Sequence, residues 1–249
     1  MFLLLFPTSF FFGAVYTESL FFLLVIATFY FLNKKQFLSA GLVAFLAGLT
    51  RINGILLIIP FIIEFARNFK KNKNLWQLGI LIITPLLGLL TYMRYLLITT
   101  GDALAFFHSQ AVFGPARSTK IILLPQVFYR YLKILLTANF NFQYFISFLE
   151  LSFFSFISII LILDLIKNLK LKIKNYSLIS LNLFSLANIL LPTFTGSFMS
   201  VPRFALLSLS FFIFLGSIKD KMIKIFLVVL FFVLHLVLLG FFLGGYFVS

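Results

Sequence analysis

Six carboxylates and two imidazoles are the whole acid–base repertoire of this 249-residue chain, and it has no cysteine. Disulfides, cysteine-held metals and thiol nucleophiles are therefore excluded. Three of the acids stand where chemistry could be done. Glu18 opens an apolar segment directly after Tyr16 and Thr17, Asp102 follows Gly101 with His108 and Gln110 close behind, and Glu150 lies early in another apolar segment. Carboxylates so placed can take a proton from a hydroxyl or hold a cation. Glu64, Asp164 and Asp220 sit near lysine clusters and belong with those. Of the 20 bases, seven lie outside the clusters: Arg51, Arg94, Arg117, Lys120, Arg130, Lys133 and Arg203. A guanidinium presents paired donors that match phosphate, so these residue types together suit an anionic phosphate ligand. Each also has a plainer reading. Glu18 could serve a helix dipole, Asn53-Gly54 is good turn chemistry, Arg203 after Pro202 could snorkel to headgroups, and Asp102 could be a solvated loop acid. His108 alone is a poor metal ligand set, and His235 in the last apolar segment reads as a packing residue. No histidine cluster, glycine-rich phosphate loop or Ser/His/Asp spacing is present, so no metal site is expected and hydrolytic classes recede.

The elements that must carry these residues are set by composition. With 62% hydrophobic and 10% charged residues, 38 Phe and a mean hydropathy of +1.15, the chain reads as a multi-pass membrane protein. The net charge of +14 is then a topology signal and a lipid-headgroup contact; it does not imply nucleic acid. Thirteen bases fall in four clusters, Lys34-Lys35, Arg67 to Lys73, Lys167 to Lys174 and Lys219 to Lys224. All are expected to face the cytoplasm. The apolar stretch 37–66 is too long for one span of about 20 residues, so it is expected to fold back at Thr50-Arg51-Ile52-Asn53-Gly54. Nine spans are expected: 1–15, 17–32, the two halves of 37–66, 75–98, 145–166, 176–192, 203–218 and 225–244. The N terminus is then cytoplasmic and the C terminus outside. Residues 99–144 form an extracytoplasmic loop. In it Leu124, Val127, Phe128, Tyr131, Leu132, Leu135 and Leu136 share a face, which predicts a helix lying in the membrane interface. Backbone groups in lipid must pair internally, so the fold class expected is all-α, a single membrane domain over 1–249. No cleavable signal peptide and no internal repeat is read.

Four stretches, in order, resemble a known family. Residues 6–24, FPTSFFFGAVYTESLFFLL, and 47–54, AGLTRING, look like the membrane core of PIG-V type mannosyltransferases of the GT-C glycosyltransferase superfamily. Residues 100–110, TGDALAFFHSQ, are similar to an outer-loop motif of the bacterial relatives, and 196–207, GSFMSVPRFALL, resembles the family's late Pro-Arg-aromatic motif. The resemblance implies a GT-C-like bundle that moves a hexose, mannose first, from a polyprenyl-phosphate donor to a lipid-linked or surface acceptor. Such transfer needs a carboxylate for the acceptor hydroxyl and cations for the leaving phosphate. On the matching positions it implies Asp102 and Glu18 as catalytic, and Arg51, Asn53, Gln110, Arg203 and Tyr16 as substrate-binding. No cofactor is required beyond the lipid-linked sugar, and divalent metal dependence stays open. Implied partners are membrane lipids, the donor and a glycolipid or surface acceptor. The family's acidic first outer loop would precede residue 1, so the expectation is that upstream sequence or a partner subunit supplies it. The implied location is a bacterial plasma membrane, or the endoplasmic reticulum in a eukaryote. Two other readings remain, a transporter or flippase for an anionic lipid, which predicts repeats, and a noncatalytic subunit of a membrane enzyme.

Overall fold

The computed structural model describes residues 1–69, 75–109, 120–170 and 175–248. Among the described residues all regular structure is helical. A turn-rich segment, with a 3₁₀ stretch at Ser9–Phe12, leads into α1 (Glu18–Asn33) and α2 (Phe37–Thr50). A 3₁₀ turn at Ile52–Leu57 leads to α3 (Ile58–Phe69), then α4 (Leu75–Thr100) and the short α5 (Ala105–His108). After α6 (Leu124–Thr137) and α7 (Phe142–Lys170) come α8 (Tyr176–Thr193), the single turn α9 (Val201–Phe204), a 3₁₀ turn at Ala205–Leu207, α10 (Leu209–Ser217) and α11 (Lys221–Leu243).

Five helical segments are long and apolar enough to cross a membrane: Ile52–Phe69, Leu78–Thr100, Phe142–Lys170, Tyr176–Thr193 and Lys221–Leu243. Two of the apolar helices, α1 and α2, are shorter. Leucine, isoleucine and phenylalanine side chains on their outer faces are exposed, for example Leu23, Ile83, Ile159 and Phe226. That is the surface expected of helices whose solvent is lipid.

Five candidate spans among the described residues replace the nine expected, and two of the expected spans differ outright. Residues 1–15 form no helix of membrane length; Pro7 lacks a backbone donor and disfavours helix in the residue before it, and Thr8 Oγ1 turns away to donate to Pro202 O at 2.8 Å. The phenylalanines that made this segment look like a span are instead a plug in the core. Phe6 is fully buried and meets Phe153, Phe211, Phe212 and Phe231 edge-on at 5.3 to 6.3 Å, the favoured aromatic geometry. Residues 203–218 are likewise no single span. Ser208 leaves helical geometry at φ −82°, ψ 67°, and the nine residues of α10 rise only about 14 Å.

The fold-back is present. α2 ends at Thr50, Arg51 is extended, and the chain returns through the 3₁₀ turn into α3. α2 packs on α1 and α4 along a stripe of small residues, Ala40, Gly41, Ala44, Ala47 and Gly48, all buried. Helices in lipid gain little from hydrophobicity between them, so small residues that let backbones touch supply the contact. Here a Cβ on Gly88 would stand 2.1 Å from Phe45 O, and one on Gly48 2.3 Å from Pro85 O. Two buried clusters result, one around α1–α4 with Phe184 of α8, the other around the N-terminal plug, α6, α7 and α9–α11. Helix α8 contributes to both.

The described basic clusters all lie at helix junctions. Lys34 and Lys35 turn α1 into α2, Arg67 lies in the last turn of α3, Lys167 and Lys170 end α7, and Lys219 precedes α11. The guanidinium of Arg67 lies 5.8 Å from the Tyr176 ring, so the end of α3 and the start of α8 share one end of the bundle. Because the chain has no cysteine, single cysteines report sidedness directly. Lys34→Cys and Lys219→Cys should react with an impermeant maleimide only after cells are permeabilised, and Leu104→Cys should react in intact cells. The reverse pattern at Lys219 would overturn the orientation.

Candidate functional site

The 16 residues of α1 rise about 24 Å from the lysine turn to Glu18, less than the roughly 30 Å hydrocarbon thickness. Glu18 is therefore held short of the far surface, with only 1% of its side chain exposed. The α1–α2 hairpin returns Arg51 to the same level, where its Nη1 donates to Glu18 Oε1. The Nε of Arg203, from α9, donates to that same oxygen. Two guanidinium cations against one carboxylate leave one net positive charge. Aromatic faces cover the cations: Arg203 lies 4.9 Å from Phe11 and 4.6 Å from Tyr16, and Arg51 lies 5.3 Å from Phe204. Cation–π contact offsets part of the desolvation of such groups. Glu18 Oε2 is buried with no hydrogen-bond partner among the described residues.

A second set of contacts fixes the two arginine-bearing turns relative to one another. Asn53 Nδ2 donates to Asn188 Oδ1 at 2.7 Å, and Asn188 Nδ2 donates to Phe204 O at 2.8 Å. Asn188 is fully buried, so it joins the residue two beyond Arg51 to the residue one beyond Arg203. The turn before Arg203 is shaped by Ser200, at φ 69°, and by Pro202 in the first turn of α9. Helix α6 braces the preceding loop. The Tyr131 hydroxyl donates to Glu150 Oε2 at 2.5 Å and accepts from the Phe198 amide at 3.0 Å, and Arg130 Nη1 donates to Gly196 O at 3.3 Å.

The expected site residues fall in different places. Arg51 and Arg203, expected to bind substrate, both pair with Glu18. Glu18, expected to be catalytic, has its Oε1 held between the two arginines. Asn53, expected to bind substrate, is 2% exposed and spends its amide on Asn188. Tyr16, half exposed, does stand at the cluster through its ring. Asp102 belongs to a separate, exposed turn beyond α4. Its Oδ2 lies 2.7 Å from His108 Nδ1 and its Oδ1 accepts from the Leu104 amide at 2.9 Å. The His108 hydrogen bond first, and the Leu104 amide next, hold its carboxyl below the usual range. Gln110 and Arg117 lie outside the described residues. His235 is a packing residue, with Nδ1 3.2 Å from Phe6 O. Among the described residues no three metal-ligating side chains group together.

Sequence reasoning missed Asn188. Its signal was the run Asn182, Ser185, Asn188, a polar row at three-residue spacing along α8, all fully buried. No family model, no curated protein and no solved structure matches this chain.

Proposed function

We propose that this chain is a membrane hexosyltransferase of the GT-C type that uses a polyprenyl-phosphate-linked sugar, mannose in the first instance. The acceptor is lipid-linked or at the surface, on the side away from the lysine clusters, and the membrane is a bacterial plasma membrane. The observation that supports this most is the buried Glu18–Arg51–Arg203 cluster with its one net positive charge, the charge that offsets a phosphodiester donor. In the transfer, the acceptor oxygen bonds to the anomeric carbon as the bond from that carbon to the phosphate oxygen breaks. The acceptor proton passes to a carboxylate outside this cluster, on the acidic loop that a partner subunit supplies, and the bonding pair stays on the lipid phosphate. The arginines stabilise the charge that grows there, and Glu18 holds them in place. Asp102, with His108 beside it, positions the acceptor hydroxyl from the outer turn, and α6 lies at the interface with Leu132 and Leu136 exposed.

The test is transfer of labelled mannose from its polyprenyl phosphate in membranes of the source cells, with and without this chain. Equal labelled product in the two membranes sinks the proposal. Asp102→Asn keeps shape and one acceptor oxygen, and its expected loss is about tenfold to hundredfold in transfer rate, the scale of one charge-assisted hydrogen bond. Wild-type rates would reduce Asp102 to a solvated loop acid. Asn188→Leu leaves the Asn53 amide and Phe204 carbonyl unpaired at about 1 to 3 kcal/mol and lets the arginine turns drift apart. Donor KM should rise with a smaller change in kcat, and Asn188→Gln should restore less than half of the loss because its longer arm misplaces the turns. A variant that lowers stability but leaves donor KM alone would make Asn188 purely structural.

A further inference from the structure

Arg203 donates to Glu18 through Nε alone, and its two terminal nitrogens have no hydrogen-bond partner among the described residues. That leaves unused the paired edge of the guanidinium, which fits two phosphate oxygens. The same side chain lines a cavity of about 220 Å³ with Phe11 and Tyr16 on one side and Phe242 and residues 245–248 on the other. Arg51 does not line it.

The far wall of this cavity is made by the way α11 stops. Gly245 takes φ +80°, the left-handed conformation that glycine adopts without strain. Its amide donates to Phe242 O at 3.1 Å and the Tyr246 amide to Phe241 O at 3.0 Å. The Tyr246 ring packs 5.7 Å from that of Phe241. These are the two hydrogen bonds and the apolar contact of a Schellman turn. The turn sends the chain back over the Arg203 pocket, where Val248, 2% exposed, is anchored in the core.

We infer that this cavity is a head-group site for a phosphate ester, seated on the free edge of Arg203 and roofed by residues 245–248, with Arg51 acting on it only through Glu18. The identity of the ester as a prenyl phosphate rests on the transferase reading above; the site itself does not. The net positive charge of the cluster attracts the charge of a phosphate ester, and a cavity of about 220 Å³ has room for its head group.

The experiment is equilibrium binding of radiolabelled farnesyl phosphate to the whole chain in phosphatidylcholine nanodiscs. Arg203→Lys keeps the charge beside Glu18 but removes the paired donors, and should weaken binding about tenfold or more. Arg51→Lys should stay within about threefold. Gly245→Ala, forced into a left-handed conformation, should shift the roof and release the probe about fivefold faster; it tests the site even where Arg203→Lys folds poorly. Competition by inorganic phosphate would name free phosphate as a sufficient ligand, and failure to compete would name a lipid head group; either supports the site. Equal losses in Arg51→Lys and Arg203→Lys, an unchanged release rate in Gly245→Ala, or competition by farnesol as strong as by farnesyl phosphate would each overturn it. Specific probe binding without sugar transfer would remove the transferase reading and keep the site. Transfer with donor KM unchanged in Arg203→Lys and Gly245→Ala would do the reverse.

Discussion

Replacing Glu18 with alanine is expected to cost about 3 to 5 kcal/mol of stability, the usual result of stripping the partner from a buried charge. The reason is specific to this cluster. Arg51 and Arg203 converge on one carboxylate oxygen, so without it two like charges face each other among Phe11, Phe21 and Phe204. Unfolding of the purified chain in mixed micelles, followed by helical circular dichroism, gives the number. The decisive measurement is the double variant. Adding Arg203→Met to Glu18→Ala removes the repulsion, so the pair should be more stable than Glu18→Ala alone, a coupling between neighbours of the kind that double-mutant cycles detect. Simple addition of the two losses would mean that the cluster contributes no electrostatic coupling.

A comparable loss is expected from Gly88→Val, about 3 kcal/mol at the upper end of ordinary overpacking. The added carbons meet the Phe45 carbonyl oxygen, a backbone atom that a side-chain rotation cannot move aside, so α2 and α4 must separate. Gly48→Ala presses on Pro85 O from the other helix and should act in the same direction. Its loss should combine with that of Gly88→Val to less than the sum, because helices already parted have room for a second methyl group. Gly79 is the internal control. It lies in the same α4, nothing stands within 4 Å of its added Cβ, and Gly79→Ala should be neutral or stabilising by up to about 1 kcal/mol through helix propensity. A loss at Gly79 equal to that at Gly88 would assign the effect to α4 itself and not to its contact with α2.

What the amino-acid pattern made legible was whatever depends on local period and run length. The long apolar runs became α4, α7, α8 and α11, the polar break at Thr50–Gly54 became the fold-back, and the one-sided pattern from Leu124 became α6. The N-terminal run misled because Phe and Leu score alike in lipid and in a protein core. Only Pro7, Thr8 and Gly13 hinted that the segment would turn, and its fate was decided by pockets on α7, α10 and α11 that no local window contains. The site was legible as a set of unusual residues and not as a site. Glu18, Arg51 and Arg203 each stood out for being ionisable near apolar sequence, yet their convergence is a tertiary fact carried by Asn188 and by the Thr8 bond to Pro202 O. Asp102 and His108 are the opposite case. Six residues apart, they meet through a local turn, although their spacing by itself pointed only weakly to a contact.

The cluster also fixes an order of events during synthesis. Glu18 and Arg51 belong to one hairpin of consecutive helices, so this electrically neutral pair can be inserted as a unit before Arg203 is made. Arg203 follows Glu18 by 185 residues and arrives when most of the bundle is already in place. Its docking converts a neutral pair into a cationic one, so the net positive charge of this cluster exists only once the late segment is seated.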